Sequence, residues 1–407
     1  MEITGIIAEY NPFHNGHYYQ IHQTKNQTNC DAVVAVISGN FTQRGQAAIT
    51  DKFTRTKMAL LNGVDLVLEL PIPIATASAE FFASGAISLF EQSQIITSLS
   101  FGSECGNLPL LHKIATSLIH DDSSITPLVK HYLKQGLSFP RARQQALIDF
   151  LNHSYDTNHT ELTEILQNPN NILGIEYIKA LTKWHSSIKP FTIKREGAHY
   201  HEDCIVGSIA SATAIRKALQ TGDDYQSSMP SSAAQLLTVS SLPSMEKFSA
   251  FLHYKLMFST VEDLYATWDI PKDLINTFIK HISKAPSYEE LVNLSTSKTY
   301  TRSTVQRSLL RILLDLKTTD LGKLSPTIKT PYIRVLGCKK DYTWLLKALT
   351  QSATIPVITN LNKQYKTLNS LQKKWIDYEL KATQLYAYAT SNPRLAMSDF
   401  TQSFIIL

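Results

Sequence analysis

Ile3-Thr4-Gly5-Ile6-Ile7-Ala8-Glu9-Tyr10-Asn11-Pro12-Phe13-His14-Asn15-Gly16-His17 runs from an apolar hexad through a polar turn into the start of a helix. Ile3 to Ala8 has the length and content of a buried strand. A helix is expected from about His17 to Thr28. Between them stands His-x-Gly-His. Gly16 lets the backbone pass close to a ligand where a β-carbon would block it. The helix start aims unpaired N–H groups at the same place, which favours an anion. His14 and His17 can both reach phosphate oxygens there and stabilise charge developing as pyrophosphate leaves. Pro12 and Phe13 stiffen the approach and are placed to wall a nucleotide. The competing readings are two surface histidines on a polar loop, or a zinc site. The zinc reading lacks the acidic residue that a helix of HExxH type supplies.

Working outward, the same rhythm continues. Ala32 to Ile37 is apolar without alternation, as in a parallel strand covered on both faces. Val64 to Leu70, Ile95 to Phe101 and Pro190 to Lys194 are further strand candidates. Helices are expected over 54–62, 78–90, 171–184 and 211–219. Strand and helix in alternation predict an α/β fold with an open parallel sheet and right-handed crossovers. Residues 108–168 break the rhythm and read as a helical insertion. The expected organisation is an α/β catalytic domain over 1–220, a mainly helical domain over 221–325, and a small C-terminal α/β region over 326–407. The last has strands at Tyr332–Leu336 and Pro356–Thr359 and a helix from Leu371 to Tyr388.

Composition excludes several classes. The 407 residues carry 39 Lys plus Arg against 34 Asp plus Glu, a net charge of +5. Hydrophobic residues make up 43%, which argues against disorder. A mild positive charge permits an acidic partner such as RNA without demanding one. No apolar run approaches the ~18 residues of a membrane span, and the N-terminus lacks the basic start of a signal peptide. Cys30, Cys105, Cys204 and Cys338 are scattered, so neither a zinc site nor a disulfide framework is expected. Reduced thiols and a cytoplasmic location follow as expectations.

A second polar element follows the fifth strand: Ser208-Ile209-Ala210-Ser211-Ala212-Thr213-Ala214-Ile215-Arg216. Hydroxyls at a helix start can bond phosphates, and Arg216 can grip them as a charged fork. For Ser211 and Thr213 a plain helix cap is an equal reading. Together with His14 and His17 this element resembles the HIGH-type nucleotidylyltransferases, whose Rossmann-like sheet supports attack on the α-phosphorus of a nucleoside triphosphate. Longer blocks narrow the resemblance: Ala8–His17, Ser38–Gly45, Arg55–Leu60, Gly63–Val67, Phe101–Glu104, Pro169–Gly174, Arg195 with His199–His201, and Pro331–Gly337. They resemble the bacterial tRNA(Met) cytidine acetate ligase family over nearly the whole chain. Ala47 stands where the family pattern has Pro.

That resemblance implies an enzyme that forms acetyl-adenylate from ATP and acetate. It then passes the acetyl group to N4 of the wobble cytidine of elongator tRNA(Met). It implies that Ile7, Ala8, Glu9, Tyr10, Asn11, Pro12, Phe13, His14, Asn15, Gly16, His17, Tyr18, Tyr19 and Gln20 line the ATP site, with Gly102, Asn170 and Arg195. Mg²⁺ is expected to accompany ATP, with no dedicated carboxylate cluster and no protein partner or membrane.

From position alone, Arg44 is the candidate to neutralise phosphates or guide the cytidine. Lys52 shares that candidacy, while Lys52, Arg55 and Lys57 could equally form a solvated helix face. Lys130, Lys134, Arg141, Arg143, Arg302, Arg307 and Arg311 are candidate RNA contacts and, one by one, ordinary surface charges. Two alternatives stay open. One is a nucleotidylyltransferase that adenylylates a phosphorylated small molecule. The other is a non-catalytic RNA-binding protein on the same fold.

Overall fold

The continuous apolar runs become the centre of a sheet. In the computed structural model, residues 1–120, 122–137, 139–155, 159–195, 209–237 and 242–407 are described. Glu196, Gly197, His199–His201, Cys204 and Ser208 lie outside them. The strands are β1 (Ile3–Ala8), β2 (Ala32–Ser38), β3 (Leu66–Leu70), β4 (Ser98–Ser103), β5 (Lys189–Lys194), β6 (Ile333–Cys338), β7 (Val357–Ile358) and β8 (Ile405–Ile406). Their order is β5-β4-β1-β2-β3-β6-β7, with β8 on β6. The first five pair in parallel. The chain leaves β1 toward β2 on one side and returns through β4 on the other. That reversal opens a crevice at the carboxyl ends of β1 and β4, where such sheets bind ligands.

Both faces are covered. The helices that matter here are α1 (Asn15–Thr28), α2 (Lys52–Leu61), α3 (Ala79–Ser93), α4 (Pro169–Lys183), α5 (Ala212–Thr221), α6 (Arg302–Leu314) and α7 (Ser370–Ala389). On one face Ile6, Val33, Ala35 and Ile37 pack with Met58 and Leu60 of α2 and Ile215 of α5. On the other, Ile7, Val34 and Val36 pack with Ile87 and Phe90 of α3 and Ile178 of α4. The strict alternation along β2 explains why its sequence shows no polar face. Each such side chain contributes roughly 1.5–3 kcal/mol on full burial.

Helices over 108–120, 122–134, 139–155 and 159–167 occupy the region read as an insertion. The helices between residues 249 and 314 have a core of their own, with Leu252, Leu274, Phe278, Val305 and Leu309. The C-terminal strands do not build a separate sheet: β6 pairs antiparallel with β3 and extends the main one. Among the described residues no helix is long and apolar enough to cross a membrane.

A buried ion cluster joins these parts. Lys52 Nζ lies 2.6 Å from both Glu69 Oε1 and Asp399 Oδ1. Arg334 Nη1 lies 2.8 Å from Asp399 Oδ1 and 3.2 Å from Glu69 Oε2. Burial, and then the Glu69 carboxylate, push the nearby Glu379 carboxyl up to about 8. Lys52 is 1% exposed, so it is neither a phosphate contact nor part of a solvated helix face. Arg55 is equally buried, while Lys57 is half-buried. The α2 face that carries Lys52 and Arg55 packs inward because acidic and carbonyl partners await it there.

Candidate active site

The turn after β1 builds a cap from imidazoles. His14 is the residue before α1, and its Nδ1 accepts the Gly16 N–H at 3.0 Å. His17 Nδ1 accepts the His14 N–H at 3.3 Å. This is a reciprocal capping box with histidines in place of the usual Ser and Glu. The two rings stack, with centroids 3.7 Å apart. A β-carbon on Gly16 would stand 2.9 Å from His14 Cε1, so only glycine fits beneath the ring. Because each Nδ1 accepts a backbone hydrogen, the proton of each neutral ring sits on Nε2. Burial, then Arg195 and Arg216, hold the His14 ring down to about 3. Burial, then His14 and Arg195, hold His17 well below the ordinary imidazole value. Both rings are therefore neutral hydrogen-bond donors at neutral pH.

Phe13 is fully buried and does not wall the cleft. Its ring lies 5.5 Å from that of His17, and Tyr10 lies 4.9 Å away on an edge. Both therefore back the His17 ring. Arg55 secures the floor. Its Nη1 donates to Glu9 O at 2.7 Å and Ser38 O at 3.0 Å, and its Nη2 to Gly39 O. One guanidinium thus ties the carboxyl ends of β1 and β2, a role that sequence reasoning missed.

The cleft has a cavity volume of about 240 Å³. Ile7, Ala8, Glu9, Tyr10 and Asn11 line it from the end of β1 and the turn after it, His14 from the cap of α1, and His17 and Gln20 from α1 itself. Gly102, Asn170, Arg195, Ser211, Thr213, Arg216 and Arg44 complete the predicted set. Pro12, Phe13, Asn15 and Tyr18 do not line it. Asn15 instead bonds Ser227 O at 3.0 Å, and Tyr18 is 42% exposed against His22. Gly16 and Tyr19 line a smaller adjoining cavity.

Arg216 is fixed by Asn11 O at 2.7 Å and Thr213 Oγ1 at 3.1 Å. Ser211 accepts the Ala214 N–H, so it caps α5 as well as lining the cleft. Asn170 donates to Glu104 Oε1 at 2.6 Å, while Glu104 Oε2 accepts the Asn171 N–H. Asn170 is the second residue of α4 and not its cap, which falls at Asn168. Phe82, Phe101, Leu173 and Tyr177 add apolar wall to the cleft. Their helical and strand spacing is that of ordinary core residues, so nothing local marked them. Thr42, Gln43 and Gln46 also line the cleft; their place after β2, on the histidine edge, was the available signal.

The loop bearing Arg44 is held from outside. Gly45 has φ +73, and a β-carbon there would lie 2.6 Å from the Arg307 backbone nitrogen on α6. Arg307 Nη1 reaches Gln43 O at 3.4 Å. Arg311 is buried: it pairs with Asp269 Oδ2 at 2.7 Å and bonds Thr76 O at 3.0 Å. It is a tie within the protein and not an exposed RNA contact. Arg302 is exposed and paired with Glu289. Lys130, Lys134 and Arg141 are exposed and Arg143 half-buried, on the helices over 122–134 and 139–155. Among the described residues no group of three His, Cys, Asp or Glu could hold a metal ion.

A switch-point cleft lined by paired neutral imidazoles, by arginines and by apolar side chains is that of a nucleotidyl transferase. A family model described as HIGH Nucleotidyl Transferase matches residues 1–400. The chain is 40% identical over 412 residues to the tRNA(Met) cytidine acetate ligase of Clostridium perfringens SM101, covering 100% of both. It is 38% identical to the protein of that name from Acetivibrio thermocellus, again over 100% of both. Apo Thermotoga maritima TmcAL has a TM-score of 0.92 at 30% identity, and its form bound with alpha-thio ATP 0.90 at 29%, each covering 100% of both chains. The chain belongs to the tRNA(Met) cytidine acetate ligase family.

Proposed function

We propose that this chain is an ATP-dependent tRNA(Met) cytidine acetate ligase acting in the cytoplasm. A carboxylate oxygen of acetate attacks the α-phosphorus of ATP, the bond to the bridging oxygen breaks, and pyrophosphate leaves with the electron pair. The cytidine N4 then attacks the acetyl carbonyl, AMP departs, and the nitrogen loses a proton. The observation that carries this reading is the stacked His14–His17 pair. Its two Nε2–H groups are held by the backbone as neutral donors beside Arg195 and Arg216. Donors fixed in advance at developing phosphate charge are worth about 10²–10³-fold each. The apolar slot of Phe82, Leu173 and Tyr177 suits the adenine, with Asn170 at its rim. Arg44 stands exposed at the cleft to meet the tRNA. Mg²⁺, if it accompanies ATP, would be held mainly by the phosphates and would neutralise part of their charge.

The test is direct. With ATP, acetate and tRNA(Met), the protein forms N4-acetylcytidine, and omitting acetate abolishes it. Unmodified tRNA in the complete mixture refutes the reading. AMP left joined to a phosphorylated small molecule, without need of RNA, establishes plain nucleotidyl transfer instead.

A further inference from the structure

The second cavity lies beside the ATP cleft and shares His14, Gln20, Gly102, Arg195 and Ser211 with it. Its volume is only about 20 Å³. That is room for one water or one methyl group, and for little more. Its other walls include Ile193, Ile209 and Ala210. Ile193 and Ala210 are buried. Ile209 reaches over Gly16: its Cγ2 would be 3.8 Å from a β-carbon placed there. A charged group stands at the junction. The Arg195 stem lies across Gly102, with Cγ 3.5 Å from the position of a β-carbon on that glycine. Among the described residues, no hydrogen bond engages the Arg195 guanidinium, and Glu104 acts on it only through its charge. The cavity is thus apolar along Ile193, Ile209 and Ala210, cationic at its mouth, and open to the place where ATP is activated.

We propose that this side cavity is the acyl subsite, with the methyl group of a two-carbon carboxylate against Ile209 and Ala210 and its carboxylate on the Arg195 guanidinium. The inference rests on the ligase reading above. It assigns the choice of acetate to the small volume: the added methylene of propionate meets Ile209 and Ala210. A hydrophobic pocket discriminates by about 10–200-fold for one methylene. The carboxylate oxygen then faces the shared wall of the two cavities, where it forms the new bond to the α-phosphorus as the bond to pyrophosphate breaks.

The experiment measures ATP–pyrophosphate exchange by the full chain with acetate, propionate or butyrate. Wild-type protein is expected to favour acetate over propionate by at least ~10-fold in kcat/KM. Ile209→Ala is expected to shrink that ratio by ~10-fold, mainly by raising activity with propionate. Ile209→Val, which removes one methyl and keeps the packing, shifts it the same way by less. Ile209→Phe fills the cavity: it raises the KM for acetate and leaves equilibrium ATP binding unchanged. An unaltered acetate-to-propionate ratio in the folded Ala or Val variant overturns the subsite, as does an unaltered acetate KM in the Phe variant. Failure of wild-type protein to exchange with any carboxylate overturns the ligase reading itself, and the subsite with it.

Discussion

Replacing His14 by Asn separates the two jobs that its imidazole performs. The ring caps α1 through Nδ1, which accepts the Gly16 N–H at 3.0 Å. It also presents Nε2–H to the cleft. Asn is among the best N-cap residues, so His14→Asn retains the cap, whereas His14→Ala loses it at a cost of about 1 kcal/mol. Neither variant has an Nε2–H. Loss of one such donor to a phosphate in the transition state costs about 2.7–4 kcal/mol, or 10²–10³-fold in rate. Acetate-dependent ATP–pyrophosphate exchange and chemical denaturation, run on the same preparations, read the two terms. His14→Asn is expected to unfold within about 0.5 kcal/mol of wild type yet lose at least ~10² in exchange. His14→Ala loses a similar rate and about 1 kcal/mol more stability. Exchange by His14→Asn within a factor of ten of wild type would refute the assignment of Nε2–H to the departing phosphates.

Three further outcomes are expected. Lys52→Met leaves the buried Glu69 and Asp399 carboxylates with Arg334 as their one remaining shared cation, and should cost about 3–5 kcal/mol in denaturant unfolding; a loss under 1 kcal/mol contradicts the network. Glu379 holds its proton in the folded state up to about 8, against 4.5 for an ordinary glutamate. The folded form thus binds the extra proton, so stability should fall as pH rises through that window, by up to ~1.4 kcal/mol per unit. Asp399 is held below its ordinary value, so its contribution is already present there and is lost only on stronger acidification. Glu379→Gln should flatten the slope between pH 5 and 8; an unchanged slope assigns it elsewhere. Gly45→Ala forces a β-carbon at φ +73 against the Arg307 backbone. It should displace the Arg44 loop and lower acetyl transfer to tRNA more than ATP–pyrophosphate exchange, and equal loss in both would tell against Arg44 as the tRNA-facing residue.

The sheet was readable because burial on both faces leaves an unbroken apolar run, as in Ala32–Ile37, and because each run ends in a turn residue. The His14–His17 element was readable because glycine and a helix start have local signatures. Charged residues misled for the opposite reason. Lys52 and Arg55 look like a solvated helix face because nothing nearby in the chain reveals their partners. Those partners include Glu69, Asp399 and the Glu9 carbonyl, brought in by the fold. Arg311 likewise lies opposite the apolar stripe of α6, where a solvent-facing residue belongs, yet Asp269 and Thr76 cover it. The apolar wall of the cleft escaped notice because Phe82, Leu173 and Tyr177 carry the spacing of core positions.

The antiparallel entry of β6 beside β3 has a consequence for synthesis on the ribosome. Asn40, at the base of the Arg44 loop, bonds Thr383, which is 343 residues further along the chain. Tyr386 bonds Ala48 O from the same helix, and Lys52 waits for Asp399. An unfinished chain therefore carries the histidine pair but not the brace of the Arg44 loop. The Arg44 loop, made early, takes its final shape only after Thr383 and Tyr386 have emerged.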